Sequence, residues 1–155
     1  MNIYFLHDDP VKAANEVDDK DTMKCYRDGI LMLLARTFED GMSEHIDNHS
    51  MTKWVNEQPS HYKWTLQYVD RLATRLKESN RKPRMTNCLK DLKLHTYALA
   101  DDHTDKWVNP PRCIPKKYKL DYDSYEGDAS CHVSSYRGWY EDYCKARKEH
   151  LTGDC

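Results

Sequence analysis

The chain opens on an apolar run, Ile3-Tyr4-Phe5-Leu6, and turns polar at Asp8-Asp9. A short run without alternation reads as one strand or as a buried extended arm. Asp9-Pro10 has the form of an N-cap followed by proline at the first helical position. A helical stripe of Met23, Ile30, Leu33, Leu34 and Phe38 then predicts helix to about Phe38, ended by Glu39-Asp40-Gly41. Residues 43–50 are polar and read as a linker. A short helix is expected around 51–56, carrying Trp54 and broken by Pro59. Ser60 can cap a longer helix with Tyr62, Leu66, Val69, Leu72, Ala73 and Leu76 on its inner face. Ser79-Asn80-Arg81-Lys82-Pro83 stops it, and Thr86 to about Leu94 predicts another, with Cys88, Leu89 and Leu92 inward. Residues 101–128 hold Asn109-Pro110-Pro111 and Ile114-Pro115 and predict an irregular segment, long enough to suggest a functional role. A last helix is expected from Ser134 or Ser135 to His150. The sum is a mainly α fold. It is a compact single-domain helical bundle over 1–155, with a buried N-terminal extended arm and a long irregular segment before the last helix.

Composition sharpens this picture. With 39% hydrophobic and 32% charged residues the chain is globular rather than disordered. Two Phe stand against eleven Tyr and four Trp, aromatics suited to half-buried and stacking surfaces as well as cores. Six cysteines are scattered without a CxxC, and the N-terminal apolar run is too short for a signal peptide. An intracellular protein with free thiols is expected, and no apolar run approaches the ~18 residues of a membrane span.

The net charge of −2 is not that of a general DNA coat protein. The charge is unevenly spread. Residues 1–47 carry eleven Asp/Glu against five Lys/Arg. Arg75 to Arg84 carries five basic residues against one Glu, and Arg112 to Lys119 carries four and no acid. Such a chain can show nucleic acid a positive face, or these charges are ordinary solvated surface.

Three constellations could carry chemistry. Tyr26-Arg27-Asp28, with Lys24 before it, is a surface ion pair or a carboxylate set beside phosphate-binding cations. On the last helix, Tyr136, Tyr140 and Tyr143 form a core stripe or a stacking surface beside Arg137, and Trp139 lies off that stripe. His45 and His49, near Glu44 and Asp47, have a metal-like spacing, but an HxxxH pair alone is a weak signal and no metal is assigned. No Walker loop, GxGxxG or GxSxG is present, and no cofactor is expected.

Taken in order, several short motifs carry a resemblance. They are Met1-Asn2-Ile3, Asp9-Pro10-Val11-Lys12-Ala13-Ala14, Asp19-Lys20 followed by Lys24, Tyr26-Arg27-Asp28, Asn48-His49 before Trp54-Val55, Pro115 with Tyr118-Lys119, and Tyr136-Arg137 with Tyr140. This order resembles the phage pyrimidine-dimer DNA glycosylases of the endonuclease V type, over nearly the whole chain. The resemblance implies a compact helical fold without a sheet. It also implies an active site made of a helix carboxylate, here Asp28, and an N-terminal amine at Met1 or Asn2. Lys24, Tyr26, Arg27, His49, Lys116, Lys117, Tyr136, Arg137, Trp139 and Tyr140 would then face DNA. The implied partner is double-stranded DNA with a damaged or modified pyrimidine, in the cytoplasm of an infected bacterium.

The amine would form a Schiff base at C1′, for which an α-amine is suited by a pKa near ~8. The chain departs from the family in three places. Asp21 stands where the family has His, and Asp28 replaces a Glu that is one methylene longer. Met-Asn is a poor substrate for methionine removal, so Met1 is expected to stay. Two alternatives therefore stand beside excision. One is a scaffold that binds DNA, a nucleotide or a host protein, and the other is an enzyme that modifies a base without removing it.

Overall fold

The computed structural model describes residues 2–35, 42–96, 105–119 and 129–152, with the side chains of 95, 96, 129–131 and 150–152 left aside. Seven helices and no strand occur among them. Residues 2–6 form the buried extended arm. A strand needs a neighbouring backbone to pair with, and here side-chain hydrogen bonds hold the arm and the residues just after it instead. Trp64 Nε1 donates to Asp8 O at 2.6 Å, Arg137 Nε to Leu6 O at 2.8 Å, and Asn2 Nδ2 to Cys113 O at 2.9 Å. Ile3, Tyr4, Phe5 and Leu6 are all buried.

The helix expected to run unbroken from Pro10 is two helices, α1 (Pro10–Glu16) and α2 (Asp19–Leu34). Asp9 caps α1 by accepting from Lys12 N–H at 2.8 Å, with Pro10 opening the helix. The break at Val17-Asp18 has a local cause. Asp18 takes an extended conformation and accepts from Lys20 N–H at 2.9 Å, so its carboxylate starts a new helix. Phe38 and the 39–41 stop fall outside the described residues.

The expected linker after Ser43 contains a turn of helix, α3 (Glu44–Asp47), capped by Ser43. Helix α4 (Ser50–Glu57) carries Trp54. Pro59 opens α5 (Pro59–Glu78), so the Ser60 cap is not formed; Gln58 holds the cap position without a side-chain bond. Proline has no N–H to lose at a first helical position. The Ser60 hydroxyl turns to the Asp105 carboxylate at 2.8 Å.

Helix α5 is the axis of the bundle, with α1, α2, α4 and α6 (Thr86–Thr96) against it. Its inner face buries Tyr62, Trp64, Leu66, Tyr68, Val69, Leu72, Ala73 and Leu76. Helix α2 comes close because residue 29 is glycine; a β-carbon there would fall inside the van der Waals surface of Val69.

Segment 105–119 is irregular apart from a 3₁₀ turn at Lys116–Tyr118. Side chains order it. Trp54 Nε1 donates to Val108 O at 2.7 Å, and Val108 N–H donates to His61 Nε2 at 2.9 Å. His61 Nδ1, 2.8 Å from Trp54 O, is thereby the protonated nitrogen. Burial lowers the His61 pKa. Helix α7 (Ala129–Thr152) begins five residues earlier than Ser134 and closes the fold. Cys25, Cys88, Cys113 and Cys144 are unpaired thiols, and no helix among the described residues is long and apolar enough to cross a membrane.

Candidate nucleic-acid site around Asp28

Asp28 lies on the inner side of α2, and its side chain is only 3% exposed. Burying a carboxylate is costly unless its oxygens are met. The N–H of Asn2 donates to Asp28 Oδ2 at 3.3 Å, bringing the start of the chain onto a carboxylate 26 residues away. Lys24 Nζ lies 3.4 Å from the same oxygen, and Arg27 reaches Oδ1 at 3.3 Å. Both cations are largely in solvent, at 44% and 61% exposure. Lys24 also sits 5.4 Å from the Tyr4 ring centre and 3.5 Å from its hydroxyl. Burial raises the pKa of Tyr4, so its hydroxyl stays neutral throughout the physiological range. Met1 lies outside the described residues.

One atom in this site lacks a partner. Asn2 Oδ1 is buried without a hydrogen bond, while its amide nitrogen is held by Cys113 O. Cys113 brings in the irregular segment, whose basic residues Arg112, Lys116, Lys117 and Lys119 flank it in sequence. Lys117 lies over the Tyr118 ring, and Tyr118 donates to Asp142. His49 caps α4 by accepting from Met51 N–H at 3.2 Å, and the next residue, Ser50, places its hydroxyl 3.2 Å from Cys113 Sγ. His49, His45, Asn48 and Glu44 line an open depression, and no group of three metal-ligating side chains occurs among the described residues.

Several expected DNA-facing residues are committed inside the protein. Tyr26 is fully buried and its hydroxyl donates to Arg84 O at 2.7 Å. Tyr136 is buried, accepting from Cys113 N–H and donating to Pro111 O. Tyr140 is buried against Asp21, whereas Tyr143 is exposed, so the aromatic stripe of α7 is core at its first two positions only. Trp139 is half-buried, edge-on to Tyr4 at 5.3 Å. Arg137 holds Leu6 O and Glu16.

Asp21 explains itself structurally. Tyr140 donates to it at 2.9 Å, Arg147 at 2.8 Å, and the Tyr140 hydroxyl accepts from Asp18 N–H at 2.7 Å. Arg147 also reaches Asp18 at 3.1 Å. Burial, with Asp21 beside it, raises the Tyr140 pKa, which keeps that hydroxyl a donor. This network pins α7 onto the start of α2.

The structure adds residues that sequence reasoning did not assign: Lys20, Met23, Leu31, Arg84 and Met85. With Lys24, Tyr26 and Arg27 they line a cleft of about 590 Å³. Lys20, Met23, Lys24, Arg27 and Leu31 follow helical spacing and were legible as one stripe of α2; the opposite wall comes from a distant strap. No protein-family model, curated protein or solved structure matches the chain.

Proposed function

We propose that this protein is a DNA glycosylase acting on a damaged or modified pyrimidine, with Asp28 as its central carboxylate. The observation that carries the reading is the convergence of Asn2 on buried Asp28 between Lys24 and Arg27. Loss of a base leaves positive charge at C1′, and a fixed carboxylate in a site of low polarity stabilises it. Arg27 and Lys24, both reaching solvent, meet the phosphates on either side of the target. The target nucleotide must leave the duplex, because its glycosidic bond is inaccessible inside the stack.

Where an amine takes part, it attacks C1′ as the glycosidic bond breaks and the base departs with the electron pair. The amine proton passes to Asp28 and then to the base. The C1′–O4′ bond of the sugar then opens, O4′ takes the second amine proton, and the resulting imine is reduced by borohydride to a stable adduct.

A second reading rests on one feature. Both oxygens of Asp28 already have partners, so an incoming sugar must displace Lys24 or Arg27. A scaffold that binds DNA without excision fits that saturation. Duplexes carrying a thymine dimer, an abasic site or a modified pyrimidine separate the two, with borohydride trapping and a denaturing gel. An adduct lost in Asp28→Asn supports a glycosylase with lyase chemistry. Breakage only after alkali supports excision by water alone. Intact strands with folded protein on all three substrates remove the excision reading and leave the binding one.

A further inference from the structure

The chain between α5 and α6 is a strap laid over α2 and tied at both ends. Arg81 donates to Asp19 O at 2.7 Å, and Tyr26 donates to Arg84 O at 2.7 Å. Two of its residues have positive φ, Asn80 at 56° and Met85 at 55°. Asparagine enters that region readily, but methionine does so rarely. Such a conformation persists only where the surroundings impose it, and it is often found at ligand sites. Here it sets Arg84 and Met85 opposite Met23 and Leu31 across the cleft.

The lining has a distinct chemistry. Four cations, Lys20, Lys24, Arg27 and Arg84, stand around it and no carboxylate lines it. Lys24 and Arg27 share Asp28. Lys20 and Arg84 have no ion-pair partner among the described residues. The walls between are thioether and aliphatic, with the Tyr26 side chain among them. A ligand that fits must carry anionic oxygens and a flat, weakly polar body. Inorganic anions supply only the first of these, and apolar metabolites only the second. Methionine suits the flat body, since its polarizable sulfur packs against aromatic rings.

We propose that this cleft binds a nucleoside phosphate, with the phosphate on Arg84, Lys20 and Arg27 and the base between Met23 and Met85. The inference shares Lys24 and Arg27 with the glycosylase reading but needs no excision. The ligand is either a free nucleotide or one nucleotide unit of a single strand, because both present the same groups.

Methyl-¹³C methionine spectra test it on the intact chain. Met23 and Met85 report the cleft, and Met32 and Met51, fully buried elsewhere, report the fold. Titration with thymidine 5′-monophosphate moves Met23 and Met85 and leaves Met32 and Met51 in place. A thymidine tetramer that moves them while the mononucleotide does not assigns the site to a strand and still supports the proposal. Arg84→Gln weakens binding about tenfold, the scale of one charge-assisted hydrogen bond. The Arg84 carbonyl that holds the strap is untouched by that change. Three results overturn the proposal: cleft signals still at millimolar ligand, the same shifts from inorganic phosphate alone, or unaltered affinity in Arg84→Gln. Shifts that persist in an Asp28→Asn protein, beside a wild type that leaves all three duplexes intact even after alkali, would end the glycosylase reading and keep this one.

Discussion

Helix α2 buries two aspartates, and they should respond very unequally to the same substitution. Asp21 is 5% exposed in its side chain and is held by the Tyr140 hydroxyl and by Arg147, itself only 23% exposed. In Asp21→Asn the amide cannot accept from both donors as a carboxylate does. One charge-assisted hydrogen bond is lost, worth about 1.5–3 kcal/mol, and Arg147 is left with Asp18 as its one carboxylate in a half-buried place. A total near 3 kcal/mol is expected, or roughly 6–12 °C in Tm for a chain of this size. In Asp28→Asn the amide oxygen still accepts from Asn2 N–H, and Lys24 and Arg27 turn to water that already surrounds them. Pairs with such exposed partners contribute only about 0–1 kcal/mol, so the Tm falls by no more than roughly 4 °C. Urea and thermal unfolding of the two variants beside wild type give the comparison. Equal, large losses would make Asp28 a second structural carboxylate and remove the reason for placing chemistry there.

Gly29→Ala forces a methyl into Val69 and is expected to cost about 1–3 kcal/mol in urea unfolding, with Val69→Ala relieving part of it in the double mutant. Burial, then Arg112, lowers the His132 pKa from 6.5 to about 4. The folded state therefore favours the neutral ring, so its contribution is complete above pH 6.5 and is lost as pH falls from 6.5 towards 4. The loss has an upper bound of about 3 kcal/mol, and a His132→Gln protein should show a flatter stability profile over that window. Tyr26→Phe removes the donor to Arg84 O, and faster amide exchange in residues 81–85 than elsewhere is expected, by hydrogen–deuterium exchange. An unchanged strap would show that Arg84 is held by other means.

Much of the fold was legible because it rests on local rules. Asp9-Pro10 caps and opens α1, and the inner stripe of α5 carries Tyr62, Leu66, Val69, Leu72 and Leu76 as periodicity requires. The break at Asp18 was missed because apolar spacing runs through it; the capping carboxylate overrides the pattern. Pro59 was read as a stop because proline ends one helix and opens another with equal ease. The site divides the same way. Lys24, Arg27 and Asp28 are neighbours on one helix and could be grouped from spacing. Arg84 and Met85 could not, since the strap that brings them is fixed by Tyr26 and Arg81, contacts across more than fifty residues. Aromatic residues were the least legible, since a core stripe and a stacking surface have the same spacing. Tyr136 and Tyr140 have the chemistry of base-stacking groups, and the structure spends them on the core, with their hydroxyls as internal donors.

The acidity of the first third of the chain conflicts with a nucleic-acid partner only while each charge is counted alone. Asp9 and Asp18 cap helices. Glu16 is paired with Arg137, Asp19 with Arg75, and Asp21 with Arg147. The cations that meet them come from α5 and α7, so the acids of α1 and α2 serve as docking points for later helices. Asp28 alone among them takes its cations from its own helix, at positions 24 and 27, and leaves both largely in water. What remains unpaired on the outer side of α2 and its strap is positive: Lys20 and Arg84. Field strength near a surface follows such local residues more than net charge, because screening limits exposed charges to about 8–10 Å at physiological salt. An anion approaching the cleft meets four cations within that range and no lining carboxylate. Binding to this face should therefore weaken steeply with salt despite a net charge of −2. Binding of duplex or single strand that is flat between 50 and 300 mM salt, on the order of the range that screens phosphate contacts, would place the interface elsewhere on the protein.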